Sequence, residues 1–173
     1  MLFKYLYDNS KSKKEKLSHL ERYVSNIFAT IYNQTLYSEF EFYAHDLIEK
    51  CQPISKDLLN KKWKELTKKY YGNNVKLVKE DNGETCMRIP HLYRAYYVYK
   101  YATGMTSAIN FASRIYAGDN DAKDKYLEFL KSGTKDYSTV LLSNAGVDLE
   151  SESAYTVVFN EINWALDEME KLI

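Results

Sequence analysis

The stretch LSHLERYVSNIFATIYNQTLYSEFEFYAHDLIEKC, residues 17–51, decides the fold. Its apolar side chains recur at intervals of three or four residues, which is the spacing of one face of an α-helix. No proline or glycine interrupts the run. The pattern therefore predicts a helix of about ten turns over residues 13–50, although it does not exclude a bend. The positions that carry the pattern are Leu17, Leu20, Val24, Ile27, Phe28, Ile31, Tyr32, Leu36, Phe40, Tyr43, Leu47 and Cys51.

Breaker residues downstream predict where the next elements lie. Pro53 ends the first helix. Ser55 and Gly72 bound a second helix, Lys56–Tyr71, because serine caps helix N-termini and glycine accepts the left-handed conformation that stops a helix. Residues 73–90 contain the turn signal Asp-Asn-Gly and are predicted to be an irregular loop or a short hairpin.

Helical patterns return after this segment and continue to the end of the chain. The first, over residues 91–115, has almost no polar face, so we expect that helix to be central and buried. Two shorter helices follow over residues 121–131 and 137–144, and a last one begins near Ser151 or Ser153. The chain is thus predicted to be all-α: a single helical domain over residues 1–173, built as a multi-helix bundle with one irregular loop or short hairpin near residues 73–90.

Composition excludes several classes of protein. Lysine and arginine total 24, as do aspartate and glutamate, and this zero net charge argues against nucleic acid or an anionic membrane as the main partner. No window reaches the roughly 18–20 apolar residues of a membrane helix, and the start of the chain is too short an apolar run for a secretory signal. Cys51 and Cys86 are isolated, far from any Cys-x-x-Cys spacing. Reduced thiols are the favoured interpretation over a bridge between the two, so we expect a cytoplasmic location.

Metal and nucleophile motifs are absent from the sequence. The three histidines, His19, His45 and His91, lie far apart, and no His-Glu-x-x-His pair is present. His45 and Glu49 lie one turn apart near Cys51, but a solvated helix face is the simpler interpretation. There is no Gly-x-Ser-x-Gly turn and no glycine-rich phosphate loop. We therefore expect no metal site in this chain alone.

The segment Arg88-Ile-Pro-His-Leu-Tyr-Arg-Ala-Tyr-Tyr-Val-Tyr-Lys-Tyr-Ala-Thr-Gly104 carries the strongest functional signal. His91 follows a proline at the expected start of a helix, and five tyrosines come after it. Helix amides, imidazole and phenols can all donate hydrogen bonds to a developing oxyanion. Considered on physical grounds alone, core aromatics with satisfied hydroxyls are the more favoured interpretation.

This segment resembles the Arg-Ile-Pro-His-Phe-Tyr…Tyr-Val-Tyr-Lys-Tyr-Ala-Thr-Gly string of the oligoendopeptidase F family, the bacterial branch of the thimet-oligopeptidase-like zinc metallopeptidases. Tyr32-Asn-Gln-Thr-Leu-Tyr-Ser-Glu-Phe-Glu41 is similar to the family's Tyr-Arg-Gln-Thr-Met-Phe-Ala-Glu-Phe-Glu. Further family strings are Lys69-Tyr-Tyr-Gly72, Tyr126-Leu-Glu-Phe-Leu-Lys-Ser-Gly133 and Ala145-Gly-Val-Asp148. The resemblance covers nearly the whole chain, in the same order.

The resemblance implies the C-terminal portion of a helical zinc peptidase that cleaves short peptides. Zinc would be held by a His-Glu-x-x-His half that this sequence lacks, so zinc is expected in the complete enzyme and none in this chain alone. The family's donors to the oxyanion match His91 and Tyr99, with Tyr97 next and Tyr93 after it. Tyr93 and Arg94 would also bind substrate. Three positions depart from the family string: Leu92, Arg94 and Ala95 stand where Phe, Tyr and Asn are usual.

Two functions remain open at this point. The first is a fragment of a metalloendopeptidase, inactive alone, whose partners are a peptide substrate and the missing metal-binding half. The alternative is a non-catalytic helical module that binds a peptide or a protein through its tyrosine-rich face. An apolar surface meant for the missing half would also favour self-association into a homo-oligomer.

Overall fold

A computed structural model describes residues 2–73, 75 and 84–173. The secondary structure in these ranges is helical and contains no strand, which confirms the predicted all-α fold. The eight α-helices, in chain order, are α1 (Leu2–Asn9), α2 (Lys13–Ile27), α3 (Asn33–Glu49), α4 (Lys56–Tyr71), α5 (Tyr99–Tyr116), α6 (Asn120–Ser132), α7 (Ser138–Asn144) and α8 (Glu152–Glu170).

The chain divides into two compact units. One comprises Met1–Phe28 with Thr103–Ile173, and the other is Ala29–Ala102. The single domain over residues 1–173 stays a prediction. None of the described helices is long and apolar enough to span a bilayer.

The helix predicted over residues 13–50 is confirmed in its extent, since helical structure runs without a break from Lys13 to Glu49, but the single apolar face predicted for it is wrong. Helix α2 passes into a π-helical turn, Phe28–Tyr32, before α3 begins. Helix α2 packs against α1 and α8, whereas α3 packs against α4, so the apolar run serves two separate cores. Ile27 and Leu36 are buried and nine residues apart, about two and a half turns, which would place them on opposite faces of an unbroken α-helix. The wider π turn changes the register between the two buried stripes.

Local capping explains the helices that the sequence predicted well. The Ser55 hydroxyl accepts a hydrogen bond from the backbone N–H of Leu58 at the start of α4, and Gly72 ends that helix at a φ of 75°. Asp119 caps α6 and Ser151 caps α8 in the same way. Helix α1 had no sequence prediction, because it is short and depends on contacts with distant residues, including the edge-on packing of Tyr7 against Trp164.

The unit Ala29–Ala102 contains the segment of interest and has its own core. Helices α3 and α4 meet there, with a stacked contact between the rings of Tyr37 and Trp63. Cys86 is buried in this core and Cys51 is exposed, and no disulfide joins the two. The buried side chains of the core are Leu36, Phe40, Trp63, Leu66, Cys86 and Ile89.

Part of the predicted irregular segment lies outside the described residues, namely positions 74 and 76–83. The described remainder contains two 3₁₀ turns, Glu84–Arg88 and Pro90–Tyr93. The helix predicted from residue 91 is wrong at its start, because α5 begins only at Tyr99. Tyr96 has a φ of 51°, which an α-helix cannot accommodate. The middle of α5 is buried as expected, through residues such as Ile109 and Phe111.

Candidate functional site

Residues 90–97 form a surface segment that is fixed at both ends. Ile89 lies in the core before the segment and Val98 is fully buried after it. Proline restricts φ at the first position of the turn Pro90–Tyr93, which places His91 at the protein surface. The imidazole is therefore open to solvent and is not sealed in the interior.

Three rings come together where this segment meets α5, and we call His91, Tyr97 and Tyr101 the aromatic cluster. The rings of His91 and Tyr97 are nearly parallel, with centroids 5.9 Å apart. The Tyr101 ring stands edge-on to both, at 5.9 Å from His91 and 5.5 Å from Tyr97. These are the separations and angles that aromatic rings favour.

The hydroxyls of Tyr97 and Tyr101 are hydrogen-bonded to each other at 3.0 Å. This bond, together with burial, raises the pKa of Tyr101 above its ordinary value, so the phenol stays protonated at neutral pH. Each phenol carries one proton, and the bond between them uses only one. The cluster therefore keeps one phenol O–H and an imidazole N–H for an outside acceptor.

Two cations lie beside the cluster. The Arg94 guanidinium carbon is 4.9 Å from the centroid of the Tyr97 ring, and the Lys100 Nζ is 5.9 Å from it. Both distances are within the range of a cation–π contact. The cluster therefore presents hydrogen-bond donors in a positively charged setting, which suits an anionic oxygen.

A buried carboxylate holds this segment in place. Glu41 of α3, only 4% exposed, accepts a hydrogen bond from the backbone N–H of Tyr96 at 2.7 Å. Tyr96 adopts the left-handed conformation, which costs a residue with a Cβ roughly 1–2 kcal/mol. The ring of His45 packs on the Tyr96 ring with centroids 4.8 Å apart. We call Glu41 and His45 the brace, because together they stabilise Tyr96, the strained residue next to Tyr97.

The structure separates the residues that the sequence proposed. Tyr97 lies in the aromatic cluster, whereas Tyr99 is 47% exposed at the start of α5. Among the described residues, the rings that lie against His91 are those of Tyr97 and Tyr101. Tyr93 is 78% exposed, and its hydroxyl donates to the backbone carbonyl of Met87 at 3.1 Å. Their catalytic and substrate-binding roles stay predictions.

Sequence reasoning missed Tyr101 and the brace as parts of the site. The four-residue spacing between Tyr97 and Tyr101 is a usable signal, because side chains four apart can meet on one helical face. Nothing in the local sequence pairs Glu41 with Tyr96, since the two lie 55 positions apart in the chain.

The described residues do not fit a zinc site. Within residues 2–73, 75 and 84–173, no three His, Cys, Asp or Glu side chains lie close enough together to hold a metal ion. A zinc ion in a peptidase needs at least three such ligands.

Comparisons with known proteins connect this geometry to a family. The sequence matches Peptidase family M3 over residues 1–161. It is 35% identical to Oligopeptidase PepF of Bacillus subtilis over the whole of this chain and 26% of that protein. It is 37% identical to Group B oligopeptidase PepB of Streptococcus agalactiae, over 94% of this chain and 27% of the relative.

A solved structure agrees with these sequence matches. The crystal structure of oligoendopeptidase-F from Enterococcus faecium superposes with a TM-score of 0.92 and 32% sequence identity, covering 99% of this chain and 33% of that one. The chain thus spans about a quarter of the length of the curated relatives it matches and a third of the solved structure. On the match over residues 1–161 and on this likeness to oligoendopeptidase F proteins, the chain belongs to Peptidase family M3.

Proposed function

We propose that this chain supplies the substrate-binding, oxyanion-stabilising wall of a peptidase that cleaves short peptides, and that a separate stretch of polypeptide supplies the zinc ligands. The observation that carries the proposal is the open aromatic cluster. An exposed imidazole is stacked on a phenol, and that phenol is hydrogen-bonded to a second one. The described residues offer no zinc ligand set, so the part that this chain plays is to bind and orient the substrate.

The chemistry of the wall is hydrogen-bond donation. During peptide hydrolysis the carbonyl oxygen of the scissile bond gains negative charge. A donor that is already oriented toward that oxygen lowers the barrier, because it needs no reorganisation during the reaction. His91 and the free phenol proton of the Tyr97–Tyr101 pair are such donors.

The remaining predicted residues act on the substrate around these donors. Tyr93 and Arg94 are exposed on the same surface segment and would contact the peptide on either side of the scissile bond. Tyr99 is the donor that the family resemblance favours, and Tyr97 is the one that lies against His91. Tyr99→Phe and Tyr97→Phe, measured separately, decide between them.

The isolated chain is expected to bind no stoichiometric zinc and to hydrolyse no peptide. Its proposed partner is the metal-binding half of the enzyme. Activity should appear when this chain is mixed with a separately made, zinc-loaded polypeptide that carries the family's His-Glu-x-x-His motif. Sedimentation of the mixture shows whether the two polypeptides associate.

Complementation tests the proposal with matched variants. His91→Ala should lower the recovered turnover by about 10²–10³, the usual effect of losing one oxyanion donor. Tyr137→Phe is the control, since Tyr137 is 82% exposed and lies outside the aromatic cluster. Peptide hydrolysis by the chain alone would contradict the proposal, as would an associated mixture in which His91→Ala changes nothing. An associated but inactive mixture that still binds peptide would favour the non-catalytic binding module.

A further inference from the structure

The Arg94 side chain lies over an aromatic ring and has no acidic partner among the described residues. Its side chain is exposed, and its guanidinium lies over the Tyr97 ring. In the part of the unit Ala29–Ala102 that the structure describes, the ion-paired carboxylates are partnered by lysines and not by Arg94. Those lysines are Lys50, Lys56, Lys62 and Lys69. Arg94 therefore carries a charge that no described acidic residue balances.

Stacking on an aromatic ring prepares a guanidinium to bind a carboxylate. A guanidinium whose flat face packs on a ring has a restricted orientation, and the N–H donors in its plane then point outward. The Arg94 guanidinium carbon, 4.9 Å from the Tyr97 centroid, is close enough for this packing. A carboxylate matches that plane with two parallel hydrogen bonds. Lys100, on the same Tyr97 ring, adds a second positive charge to the setting.

The distances limit where such a carboxylate would lie on a bound peptide. The Tyr97 centroid is 5.9 Å from the His91 centroid and 4.9 Å from the Arg94 guanidinium carbon. His91 and the guanidinium are therefore at most about 11 Å apart, which is about three residues of an extended peptide. If one carbonyl of a bound peptide faces His91, a side chain or terminus no more than three residues from that carbonyl would lie beside Arg94.

We propose that Arg94, supported by Lys100, is a carboxylate-recognition site, so that this chain prefers peptides with a carboxylate within about three residues of the carbonyl that faces His91. This inference rests on the proposed function, because it assumes that the aromatic cluster contacts peptide. The carboxylate is either the peptide's free C-terminus or an aspartate or glutamate side chain. The chemistry recognised is the same in both cases.

Binding of matched peptides to the full chain tests the inference. The probe is one N-acetylated hexapeptide of alanine, glycine and phenylalanine in three forms: a free C-terminus, a C-terminal amide, and the amide with one internal glutamate. Affinities are measured by calorimetry or NMR titration for the wild type, Arg94→Gln, Arg94→Lys and Arg22→Gln. Arg22 is an exposed arginine of α2 in the other unit and serves as the charge-matched control.

We expect the wild type to bind at least one carboxylate form about threefold to tenfold more tightly than the amide, as one exposed bidentate pair allows. The peptide form that binds more tightly than the amide shows whether the recognised carboxylate is a C-terminus or a glutamate side chain. Arg94→Gln should remove the gain, so that the carboxylate forms bind no more tightly than the amide does. Arg94→Lys should retain part of the gain, and Arg22→Gln should retain all of it.

Three results would overturn the inference, and they separate it from the proposed function. Equal binding of all three forms by the wild type removes the carboxylate site but leaves a peptide-binding wall. A preference that persists in Arg94→Gln assigns the recognition to another residue. Failure of every form to bind overturns both the inference and the proposed function.

Discussion

Removing the Glu41 carboxylate is the most informative single change to the site. Glu41→Ala deletes the acceptor of the Tyr96 N–H bond, which is 2.7 Å long and mostly shielded from water. A hydrogen bond to a charged group contributes roughly 1.5–3 kcal/mol, and relaxation of the left-handed backbone at Tyr96 offsets part of that loss once the bond is gone. We therefore expect the free energy of unfolding to fall by about 1–2 kcal/mol. Glu41→Gln, which retains an oxygen acceptor without the charge, should lose about 1 kcal/mol.

Two measurements report the effect of Glu41→Ala, one on the free energy of unfolding and one on the conformation of the site. Urea unfolding gives the loss of free energy, and NMR follows the Tyr96 amide proton together with the ring resonances of His91 and Tyr97. The amide should exchange faster with solvent and the ring resonances should move, because the brace no longer fixes the segment that carries them. Glu49→Gln is the control, since Glu49 is exposed on the same helix.

The brace explanation fails if Glu41→Ala costs less than about 0.5 kcal/mol, the size of an ordinary surface change, and leaves these resonances in place. A second variant tests the strain directly. Glycine adopts the left-handed conformation without penalty, so a Tyr96→Gly background has no strain to relieve when the bond is lost. Glu41→Ala should therefore cost more in that background than in the wild type. An equal cost in both backgrounds would refute the link between the carboxylate and the strained backbone.

Three further predictions concern pH and metal. Burial and a hydrogen bond to Glu39 raise the pKa of Tyr70 to about 12, so the folded state favours the neutral phenol. The neutral phenol contributes its full stabilisation of the fold below pH ~10, and this contribution is lost as the pH rises through 12. Spectrophotometric titration should show this phenol ionising late, and Tyr70→Phe should abolish that late step. Burial raises the pKa of Glu39, but hydrogen bonds from Lys69 and Tyr70 outweigh burial and hold the pKa below its ordinary value. The ionised carboxylate therefore stabilises the folded state above that ordinary pKa, and the stabilisation is lost on acidification. Lys69→Met should raise the Glu39 pKa in a carboxyl NMR titration, and an unchanged value would contradict the pairing. Equilibrium dialysis of the isolated chain against zinc should give less than one bound ion per chain, and tight one-to-one binding would contradict the absence of a ligand set.

The sequence predicts best those helices whose ends are marked locally. Ser55 and Gly72 bound α4 in the structure as they do in the sequence, because capping depends on residues within one turn of the helix end. The left-handed backbone at Tyr96 could not be predicted in this way, since the carboxylate that stabilises it comes from Glu41, 55 positions away. Local helical periodicity therefore extended the predicted helix across a segment that a distant contact holds in another conformation.

The sequence predicted only part of the candidate site, again because local patterns do not report contacts between distant residues. The motif indicated His91 and Tyr97 as residue types suited to oxyanion binding, but it ranked Tyr99 ahead of Tyr97. Ring contacts place Tyr97 and Tyr101 against His91. Such contacts depend on where α5 begins, and Tyr96 and its brace determine that point.

The central claim is that the aromatic cluster is the face that contacts peptide. NMR titration of the isolated chain with the amide form of the hexapeptide tests it most directly. We predict that the largest shifts fall on the resonances of His91, Tyr97 and Tyr101. Shifts centred instead on the apolar cavity of about 320 Å³ lined by Phe111 and Phe129 of the other unit, with the cluster unchanged, would contradict the claim.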